Sequence, residues 1–293
     1  MNPSGVLELP ELKRGQVPPA SQQRELTDAL ESGAVVSLPG LDFPLSKAES
    51  ALLDPRILAK SKNVSYTPGK DKVGGTSCFG PEAQVLMDVM SRYSRTAREL
   101  VGTLFPSYKS ELQVKRTSLR PAEIAGRASS WRKDDTRLHV DAFPSQPTQG
   151  SRILRVFCNV NPDGKPRVWR LGEPFEDVAK RFLPKIGRPT PGIALLMYVL
   201  RLTKTEQTEY DFIMLKLHDA MKEDEAYQQS VGQEPVLFKA GTTWICFADS
   251  VSHAAISGQH QFEQTFYVPL GAMRVASRSP LRILERLRGR SLD

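Results

Sequence analysis

The feature that most constrains the fold of this 293-residue chain is a histidine and an aspartate two residues apart, with a second histidine far downstream. His139 and Asp141 share a face if their segment is an extended strand, because alternate side chains of a strand point to the same side. His253 follows the apolar run 243–248 and begins another β-like segment. A non-haem Fe(II) site needs two histidines and one carboxylate on one side of the ion. The pattern predicts that these three side chains converge, and a chance His-x-Asp in a chain with four histidines is the alternative.

The composition is typical of a soluble globular protein with a sizeable core. The chain is 40% hydrophobic and 25% charged, as is usual for that class. It contains no uninterrupted run of about 18 apolar residues, and its first residues lack the basic start and apolar stretch of a signal peptide. We therefore expect a cytoplasmic protein. The cysteines Cys78, Cys158 and Cys246 are widely separated, which indicates neither a disulfide framework nor a thiolate metal site.

The charge of the chain indicates an acidic partner. The formal net charge of +7 and the pI of about 9.3 favour nucleic acid, an anionic membrane surface or an anionic substrate. Residues 273–293 contain six arginines and two acidic residues, a local balance of +4. Pro280 is a good first residue for a helix there, with Leu281, Leu284 and Leu287 on one face. Such a helix either lies on an anionic membrane or docks on the domain with its leucines buried.

Periodicity predicts a β-rich second half with helices around it. Apolar runs predict strands at residues 34–39, 112–120, 151–161, 167–171, 235–238, 242–247, 253–256 and 262–268, the last two as a closing hairpin. Apolar residues at helical spacing predict helices at residues 21–33, 81–104, 173–183 and 208–222. Residues 60–80 are rich in Lys, Ser and Gly but lack the pattern of a phosphate-binding loop. We expect a mobile, solvated basic loop there.

Two groups of residues are candidates for binding an anion. Arg155 lies among apolar residues of a predicted strand, and a buried cation is costly unless an anion neutralises it. Its partner is either a protein carboxylate or, if iron is bound, the distal carboxylate of 2-oxoglutarate, which suits a bidentate guanidinium. The polar segment 126–135, which contains Trp131, Arg132 and Lys133, is either the rim of an anionic site or a surface loop.

The other two histidines are not predicted to bind a metal. His218 is adjacent to Asp219 on a predicted helix, where neighbouring side chains diverge by about 100°. These two residues are therefore not expected to chelate an ion together, and His218 is interpreted as structural. His260 lies in the turn between the last two predicted strands and is expected to be exposed.

Long stretches of the chain resemble the Kdo hydroxylase family. These are Fe(II)/2-oxoglutarate-dependent oxygenases that act on 3-deoxy-D-manno-oct-2-ulosonic acid (Kdo), a sugar acid of lipopolysaccharide. The stretches that carry the resemblance are Ser130–Pro144, Ser151–Asn161, Lys165–Arg170, Leu217–Lys222 and Asp249–Pro269. Together they cover most of residues 113–270.

The resemblance implies an α+β fold with a double-stranded β-helix, of the jelly-roll or cupin-like type, and flanking helices. Residues 1–100 are then a helical and strand region packed on the core. Residues 101–272 are the oxygenase core, with a helical insertion at about 173–230, and residues 273–293 are the basic amphipathic tail.

The resemblance also implies an activity. Fe(II) is expected to be held by His139, Asp141 and His253, with 2-oxoglutarate and O2 as co-substrates. The expected reaction is hydroxylation at C3 of Kdo in Kdo2-lipid A. Because the acyl chains of that substrate remain in the inner membrane, we expect the protein at the cytoplasmic face, with its basic tail on the anionic lipid surface. Nucleic acid is not expected as a partner.

One position departs from the pattern of the wider oxygenase superfamily. A basic residue shortly after the last metal histidine often binds the distal carboxylate of 2-oxoglutarate, but Glu263 stands there. Arg155 is the first candidate for that role, Arg120 the second, and Gln264 is a neutral helper. Six residues are candidates for binding the carboxylates and phosphates of the substrate, namely Arg127, Trp131, Arg132, Lys133, Trp169 and Arg170.

Two other functions remain as alternatives. The first is an oxygenase with the same chemistry and a different substrate. The second is a non-catalytic β-barrel that holds nucleic acid or anionic lipid through its net positive charge.

Overall fold

The computed structural model describes residues 5–127 and 129–292, in which eleven strands and eight helices are found. The strands are β1 (Val6–Glu8), β2 (Val35–Leu38), β3 (Val64–Thr67), β4 (Lys72–Gly74), β5 (Gln113–Arg120), β6 (Arg152–Asn159), β7 (Arg167–Leu171), β8 (Glu234–Phe238), β9 (Thr243–Phe247), β10 (His253–Ser257) and β11 (Gln261–Val268). The helices are α1 (Ala20–Glu31), α2 (Lys47–Ser50), α3 (Gly80–Leu104), α4 (Phe175–Phe182), α5 (Ile193–Val199), α6 (Glu209–Glu223), α7 (Glu225–Ser230) and α8 (Pro280–Arg288). The strands and helices predicted from periodicity are present with similar ends, whereas β1, β3, β4, α2, α5 and α7 were not predicted.

Two sheets face each other across an apolar interior. The larger sheet has the strand order β1-β2-β9-β6-β11-β5-β3-β4, and the smaller has the order β10-β7-β8. Among the described pairs only β1 and β2 are parallel. From β8 onwards, consecutive strands alternate between the two sheets. Facing antiparallel sheets connected in this way form a double-stranded β-helix, so the predicted α+β fold is confirmed.

The predicted closing hairpin of the last two strands is wrong. β10 pairs with β7, whereas β11 pairs with β6 and β5. The turn between β10 and β11 carries the chain from one sheet to the other. At Gly258, where φ is +111°, a Cβ atom would lie 2.9 Å from Arg167 Cδ. A short turn between apolar strands indicates a hairpin only if both strands join one sheet, and periodicity does not show which strands pair.

The central strand β6 shows how the larger sheet separates two environments. All eight of its residues are buried. Leu154 and Val156 pack with α1 and α3 in the main apolar core. Ile153 and Phe157 pack against the smaller sheet. Arg155 shares their face, because side chains alternate along a strand, and its guanidinium therefore lies between the two sheets.

The prediction of a mobile loop at residues 60–80 is wrong in part. β3 and β4 form a hairpin at the edge of the larger sheet, where β3 pairs with β5. Val64 and Tyr66 are 0% and 3% exposed and pack in the main core. Burial of these two side chains stabilises the hairpin. The surrounding lysines, serines and glycines obscure this two-residue repeat in the sequence.

The C-terminal helix α8 docks on the domain. Leu281 and Leu284 are buried in a second core with α4 and α6. On the outer side, Arg286 forms an ion pair with Glu176 at 2.8 Å. Two alternatives were predicted for the tail. The structure shows the one in which the helix docks on the domain and buries its leucines. No helix within the described residues combines the length and the apolar character needed to cross a membrane.

Candidate metal centre

Three buried side chains converge in the space between the sheets. The ligand atoms of His139, Asp141 and His253 all lie within 4.8 Å of one another. The residues are 7%, 7% and 4% exposed. His253 is the first residue of β10, and the other two come from the extended segment that precedes the loop to β6. The structure thus brings together the three residues that the sequence singled out.

A single β-bridge aligns the two histidines. The backbone N–H of His139 donates to the His253 carbonyl at 3.0 Å, and the His253 N–H donates to the His139 carbonyl at 2.9 Å. The segment around His139 is therefore not the regular strand that the sequence predicts. Its side chains nevertheless alternate, since Leu138 and Val140 are buried among α4 and α6 on the opposite side from His139 and Asp141.

Helix α7 holds this segment from outside. The side-chain amide of Gln228 accepts a hydrogen bond from the Leu138 N–H at 2.8 Å and donates one to the Leu138 carbonyl at 3.0 Å. It also donates to the Met221 carbonyl of α6 at 2.7 Å. One side chain thus binds both backbone polar groups of the residue before His139, which restricts the position of that histidine.

Both histidines present the same ring nitrogen to the cluster. His139 Nδ1 lies 2.7 Å from the Arg137 carbonyl oxygen, and His253 Nδ1 lies 2.8 Å from the Val251 carbonyl oxygen. A ring nitrogen that faces a carbonyl carries the proton, so Nε2 of each ring keeps a lone pair. Metal-binding histidines commonly donate their other N–H in this way. Two imidazole nitrogens and one carboxylate are the donors of a non-haem Fe(II) site with open positions.

Burial keeps the two imidazoles neutral. It holds the pKa of His139 well below the ordinary value, and the positive charge of Lys222 lowers this pKa further. Burial also lowers the pKa of His253, against the opposing effect of the Asp141 carboxylate. The neutral form of histidine is the form that binds a metal. The two imidazoles therefore suit a cation without prior loss of a proton.

Arg155 lies against the carboxylate of the cluster. Its Nε is 3.0 Å from Asp141 Oδ2, and its Nη1 is 3.2 Å from Glu263 Oε1. Within the described chain, Asp141 Oδ2 has no aligned hydrogen-bond partner, so the contact is electrostatic. Burial alone would lower the pKa of Arg155, but the two carboxylates raise it. Of the two partners expected for this guanidinium, a protein carboxylate is the one present.

Glu263, which stands where the wider superfamily often has a basic residue, forms ion pairs with two arginines. It is 3% exposed and lies between Arg155 and Arg120, whose Nη2 is 3.1 Å from Glu263 Oε2. Arg120 is also 3.5 Å from Asp135. Burial would raise the pKa of Glu263, but the two arginines lower it. Both arginines predicted to bind 2-oxoglutarate are thus already paired with protein carboxylates.

The cluster lies in the wall of a cavity of about 530 Å³. Eight basic side chains line this cavity, namely Lys60, Lys62, Arg120, Arg132, Lys133, Arg155, Arg167 and Lys222. Three acidic side chains line it, namely Asp135, Asp141 and Glu263. Because basic groups outnumber acidic ones, the cavity suits an anionic ligand.

The residues predicted to bind substrate divide between the cavity wall and its surroundings. Three of them line the cavity, namely Arg132, Lys133 and Trp169. Arg127 does not line it, but pairs at 3.1 Å with Asp135, which does. Trp131 does not line it either, and its ring centroid is 3.9 Å from the Arg132 guanidinium carbon.

Two predicted binding residues point away from the cavity. Arg170 follows Trp169 on β7, so its side chain lies on the other face of the strand and is exposed. Gln264 follows Glu263 on β11 and is fully buried on the opposite face, where it accepts a hydrogen bond from the Thr117 hydroxyl at 2.6 Å. The alternation of side chains along a strand therefore places both side chains away from the cavity that the predicted roles require.

The main cavity residue not found from the sequence is Arg167 on β7. It is 2% exposed, and within the described chain no carboxylate pairs with it. Its Nη1 donates to the Gly258 carbonyl at 2.7 Å, while its Nε has no hydrogen-bond partner in that part of the chain. Burial, and then the charge of Arg120, lowers the pKa of Arg167 to about 9. The available signal was its two-residue spacing from Trp169, which places both on one face.

The other two histidines also differ from expectation. His218 lines the cavity, with its ring centroid 5.4 Å from that of His139. Its Nδ1 is 3.0 Å from Asp219 Oδ1, so these helical neighbours do meet, although neither belongs to the three-ligand cluster. The prediction that His260 is exposed is wrong, because it is 6% exposed.

Comparisons with known proteins agree with this site. The family model described as 3-deoxy-D-manno-oct-2-ulosonic acid (Kdo) hydroxylase matches residues 13–291. The chain is similar to the crystal structure of the Kdo hydroxylase KdoO, a non-heme Fe(II) α-ketoglutarate-dependent dioxygenase, in complex with cobalt(II). The TM-score is 0.95, with 42% identity over 98% of this chain and 97% of that chain. For KdoO in complex with α-ketoglutarate and Fe(III), the TM-score is 0.94 with the same identity of 42% and the same coverage of 98% and 97%. No curated protein sequence matches. The chain therefore belongs to the Kdo hydroxylase family.

Proposed function

We propose that this protein is an Fe(II)/2-oxoglutarate-dependent dioxygenase that uses O2 to hydroxylate C3 of Kdo in Kdo2-lipid A. The observation that carries the proposal is the cluster of His139, Asp141 and His253 in the wall of a basic cavity. Membership of the Kdo hydroxylase family supports the sugar acid as substrate. A similar protein, KdoO, binds α-ketoglutarate and Fe(III) in its crystal structure. An oxygenase with the same chemistry and another acidic substrate is the alternative.

The three clustered side chains would hold Fe(II) through Nε2 of each histidine and a carboxylate oxygen of Asp141. When bound, Fe(II) supplies the oxidation chemistry that couples decarboxylation of 2-oxoglutarate to hydroxylation of the substrate. The chain itself orients these donors. The backbone carbonyls of Arg137 and Val251 fix the rings, and Arg155 restrains the Asp141 carboxylate at 3.0 Å. Donors fixed before the metal arrives lose little freedom on binding it.

We assign a carboxylate of a bound acid to Arg167 rather than to Arg155 or Arg120. The latter two share Glu263, whereas Arg167 faces the same cavity without a carboxylate partner in the described chain. A buried guanidinium without an anion is costly, and a ligand that reaches it gains a charge-assisted hydrogen bond. Both 2-oxoglutarate and Kdo carry a carboxylate, and separate measurement of their binding assigns Arg167 to one of them.

Exposed cations at the cavity suit the phosphates and carboxylates of a larger substrate. Lys60, Arg132 and Lys133 line the cavity and remain exposed to solvent. Kdo2-lipid A carries both kinds of anionic group, and its acyl chains stay in the bilayer. We therefore propose a peripheral location at the cytoplasmic face of the inner membrane. The tail gives this location no apolar support, since Leu281 and Leu284 of α8 are buried.

Formation of succinate from 2-oxoglutarate tests the reaction. We expect turnover when Fe(II), 2-oxoglutarate and Kdo2-lipid A are supplied, and mass spectrometry should find one added oxygen atom in the product. Lipid A without Kdo should give no stimulation. The His139→Ala variant should lose turnover and Fe(II) binding. Arg170→Ala is the matched control, because Arg170 lies on the outer face of β7, and it should keep both.

Two outcomes of this experiment contradict the proposal. Stimulation by another acid and not by Kdo2-lipid A would favour the alternative substrate. Undiminished turnover in the His139→Ala variant would exclude the three-residue cluster as the iron site.

A further inference from the structure

The segment between α4 and α6 leaves a run of large apolar side chains exposed. Seven of them, each 39% to 66% exposed, are Ile193, Leu195, Leu196, Tyr198, Val199, Leu200 and Leu202. No residue of α5 is buried. In the rest of the described chain, the exposed large apolar side chains are the isolated Val17, Phe79 and Leu237. A contiguous patch of this kind marks an interaction surface.

The α5 segment, residues 193–202, has a formed backbone. The Leu196 N–H donates to the Gly192 carbonyl at 3.0 Å, and the Leu200 N–H donates to the Leu196 carbonyl at 2.9 Å. The Leu202 N–H closes the last turn on the Met197 carbonyl at 2.9 Å. A helix that is apolar on all sides is normally covered by protein or lipid. This one is a preformed element without such a cover in the described chain.

Positive charge surrounds the α5 segment. Residues 178–205 contain six basic residues and no acidic residue. Four of the basic residues flank the segment closely, namely Lys185, Arg188, Arg201 and Lys204. None of these four forms an ion pair with another residue of the described chain. Burial, and then the nearby charges of Arg116 and Lys70, lowers the pKa of Lys204. The basic rim therefore extends from α5 to the edge of the larger sheet.

We propose that the α5 segment is the surface by which this protein docks on a bilayer of anionic phospholipid. Its aliphatic side chains would enter the boundary of the acyl chains, and the flanking cations would contact phosphate groups. The segment has about half of the roughly 20 apolar residues that a spanning helix needs, so it would lie in the interface. The inference rests on the proposed function, because it concerns how the enzyme reaches a lipid-linked substrate.

The charge pattern favours a bilayer over other occupants. In a symmetric dimer the same patch meets itself, which would bring the cations around Arg201 and Lys204 against their counterparts. A nucleic acid would bind the cations but would leave the seven apolar side chains without a partner. An anionic bilayer provides both an apolar interior and negative charge at its surface.

Lys204, two residues after the α5 segment, contacts the loop that leaves the metal cluster. The Lys204 N–H donates to the Ser145 carbonyl at 3.1 Å. Ser145 is two residues beyond Phe143, which lines the cavity, and four beyond Asp141 of the metal cluster. A bilayer bound at α5 would therefore lie beside the loop that leaves the metal cluster, which suits a substrate whose acyl chains stay in the membrane.

Co-sedimentation with vesicles tests the proposal. The full-length protein is mixed with vesicles of phosphatidylcholine alone or with added phosphatidylglycerol, and without Kdo. We expect binding to the anionic vesicles that salt weakens. The Val199→Ser, Leu202→Ser double variant should bind at least tenfold more weakly. The matched control is Val17→Ser, Leu237→Ser, which removes two equally exposed apolar side chains elsewhere and should bind like the unaltered protein.

Turnover on a water-soluble, deacylated Kdo substrate separates this inference from the proposed function. We expect both double variants to retain that turnover. Equal vesicle binding by both variants, or no binding by the unaltered protein, would overturn the docking surface. A concentration-dependent dimer in sedimentation velocity that only the α5 variant abolishes would identify a second copy as the occupant and would also overturn it. Vesicle binding without turnover on any Kdo substrate would instead count against the proposed function.

Discussion

The two sheets contribute different kinds of wall to the cavity. On the larger sheet, Arg155 and Arg120 are both paired with the buried Glu263. On the smaller sheet, Arg167 Nε and Trp169 Nε1 are buried without a hydrogen-bond partner in the described chain. The larger sheet thus pairs its charges within the protein, and Arg155 also contacts the Asp141 carboxylate of the three-residue cluster. The smaller sheet keeps its polar groups available to a ligand.

If this contrast is correct, removing Glu263 should cost the most stability. Glu263→Ala leaves Arg155 and Arg120 buried beside each other without their shared carboxylate. Breaking a buried ion pair by removing one partner costs about 3–5 kcal/mol, and we expect a loss of that size in the free energy of unfolding measured with urea. Glu225→Ala is the control, because Glu225 is 63% exposed in its pair with Arg137 and should cost less than about 1 kcal/mol. Equal losses in the two variants would mean that the larger sheet carries no such network.

The opposite result is expected for Arg167→Met. The variant removes a buried cation that has no carboxylate partner, so the free energy of unfolding should stay the same or rise. Ligand binding should suffer instead, since a hydrogen bond to a charged group contributes about 1.5–3 kcal/mol, or about 10- to 150-fold in affinity. The KM for 2-oxoglutarate and the KM for the Kdo substrate are measured separately, and the one that rises identifies the acid that Arg167 binds.

Two results would contradict this reading of Arg167. If both KM values remained unchanged, neither 2-oxoglutarate nor the Kdo substrate would bind through Arg167. The variant could lose as much stability as Glu263→Ala, which would make Arg167 part of the structural network.

The sequence predicted features that depend on local spacing. His139 and Asp141 share a face because they are two residues apart, and the same rule put Arg155 in the interior. Its partner Glu263 lies on β11, far along the chain from β6. No local sequence pattern could therefore identify this pair. Arg167 and Arg170 have the same charge on one short strand, and only their spacing from Trp169 separates the buried residue from the exposed one.

Periodicity also could not predict which distant elements pair. β10 and β11 follow each other like a hairpin, but each completes a different sheet. Helices α5 and α8 both combine aliphatic and basic residues. α8 buries Leu281 and Leu284, whereas Val199 of α5 is 66% exposed. Whether an apolar face is covered depends on which other parts of the chain fold against it. The composition of the helix does not show this.

The two walls should also respond to acid at different pH. The pKa of His139 and that of His253 lie below the ordinary 6.5 in the folded protein, so the unfolded chain binds more protons once the pH falls below that value. Stability of the metal-free protein should therefore decrease from about pH 6.5 downwards, by up to about 1.4 kcal/mol per pH unit for each histidine. The pKa of Glu263 is held below 4.5, so its contribution is lost only in stronger acid.

Urea unfolding in the presence of a chelator, at a series of pH values from neutral to mildly acidic, measures this slope. In His253→Gln the slope should fall by about a third, because burial also lowers the pKa of His260, and one of three protons is then no longer taken up on unfolding. The Glu263→Ala variant should keep the full slope in this range, although its stability is lower throughout. An unchanged slope in His253→Gln would mean that the β10 histidine titrates as it does in the unfolded chain, and the smaller sheet would then not hold it in the neutral form that a metal requires.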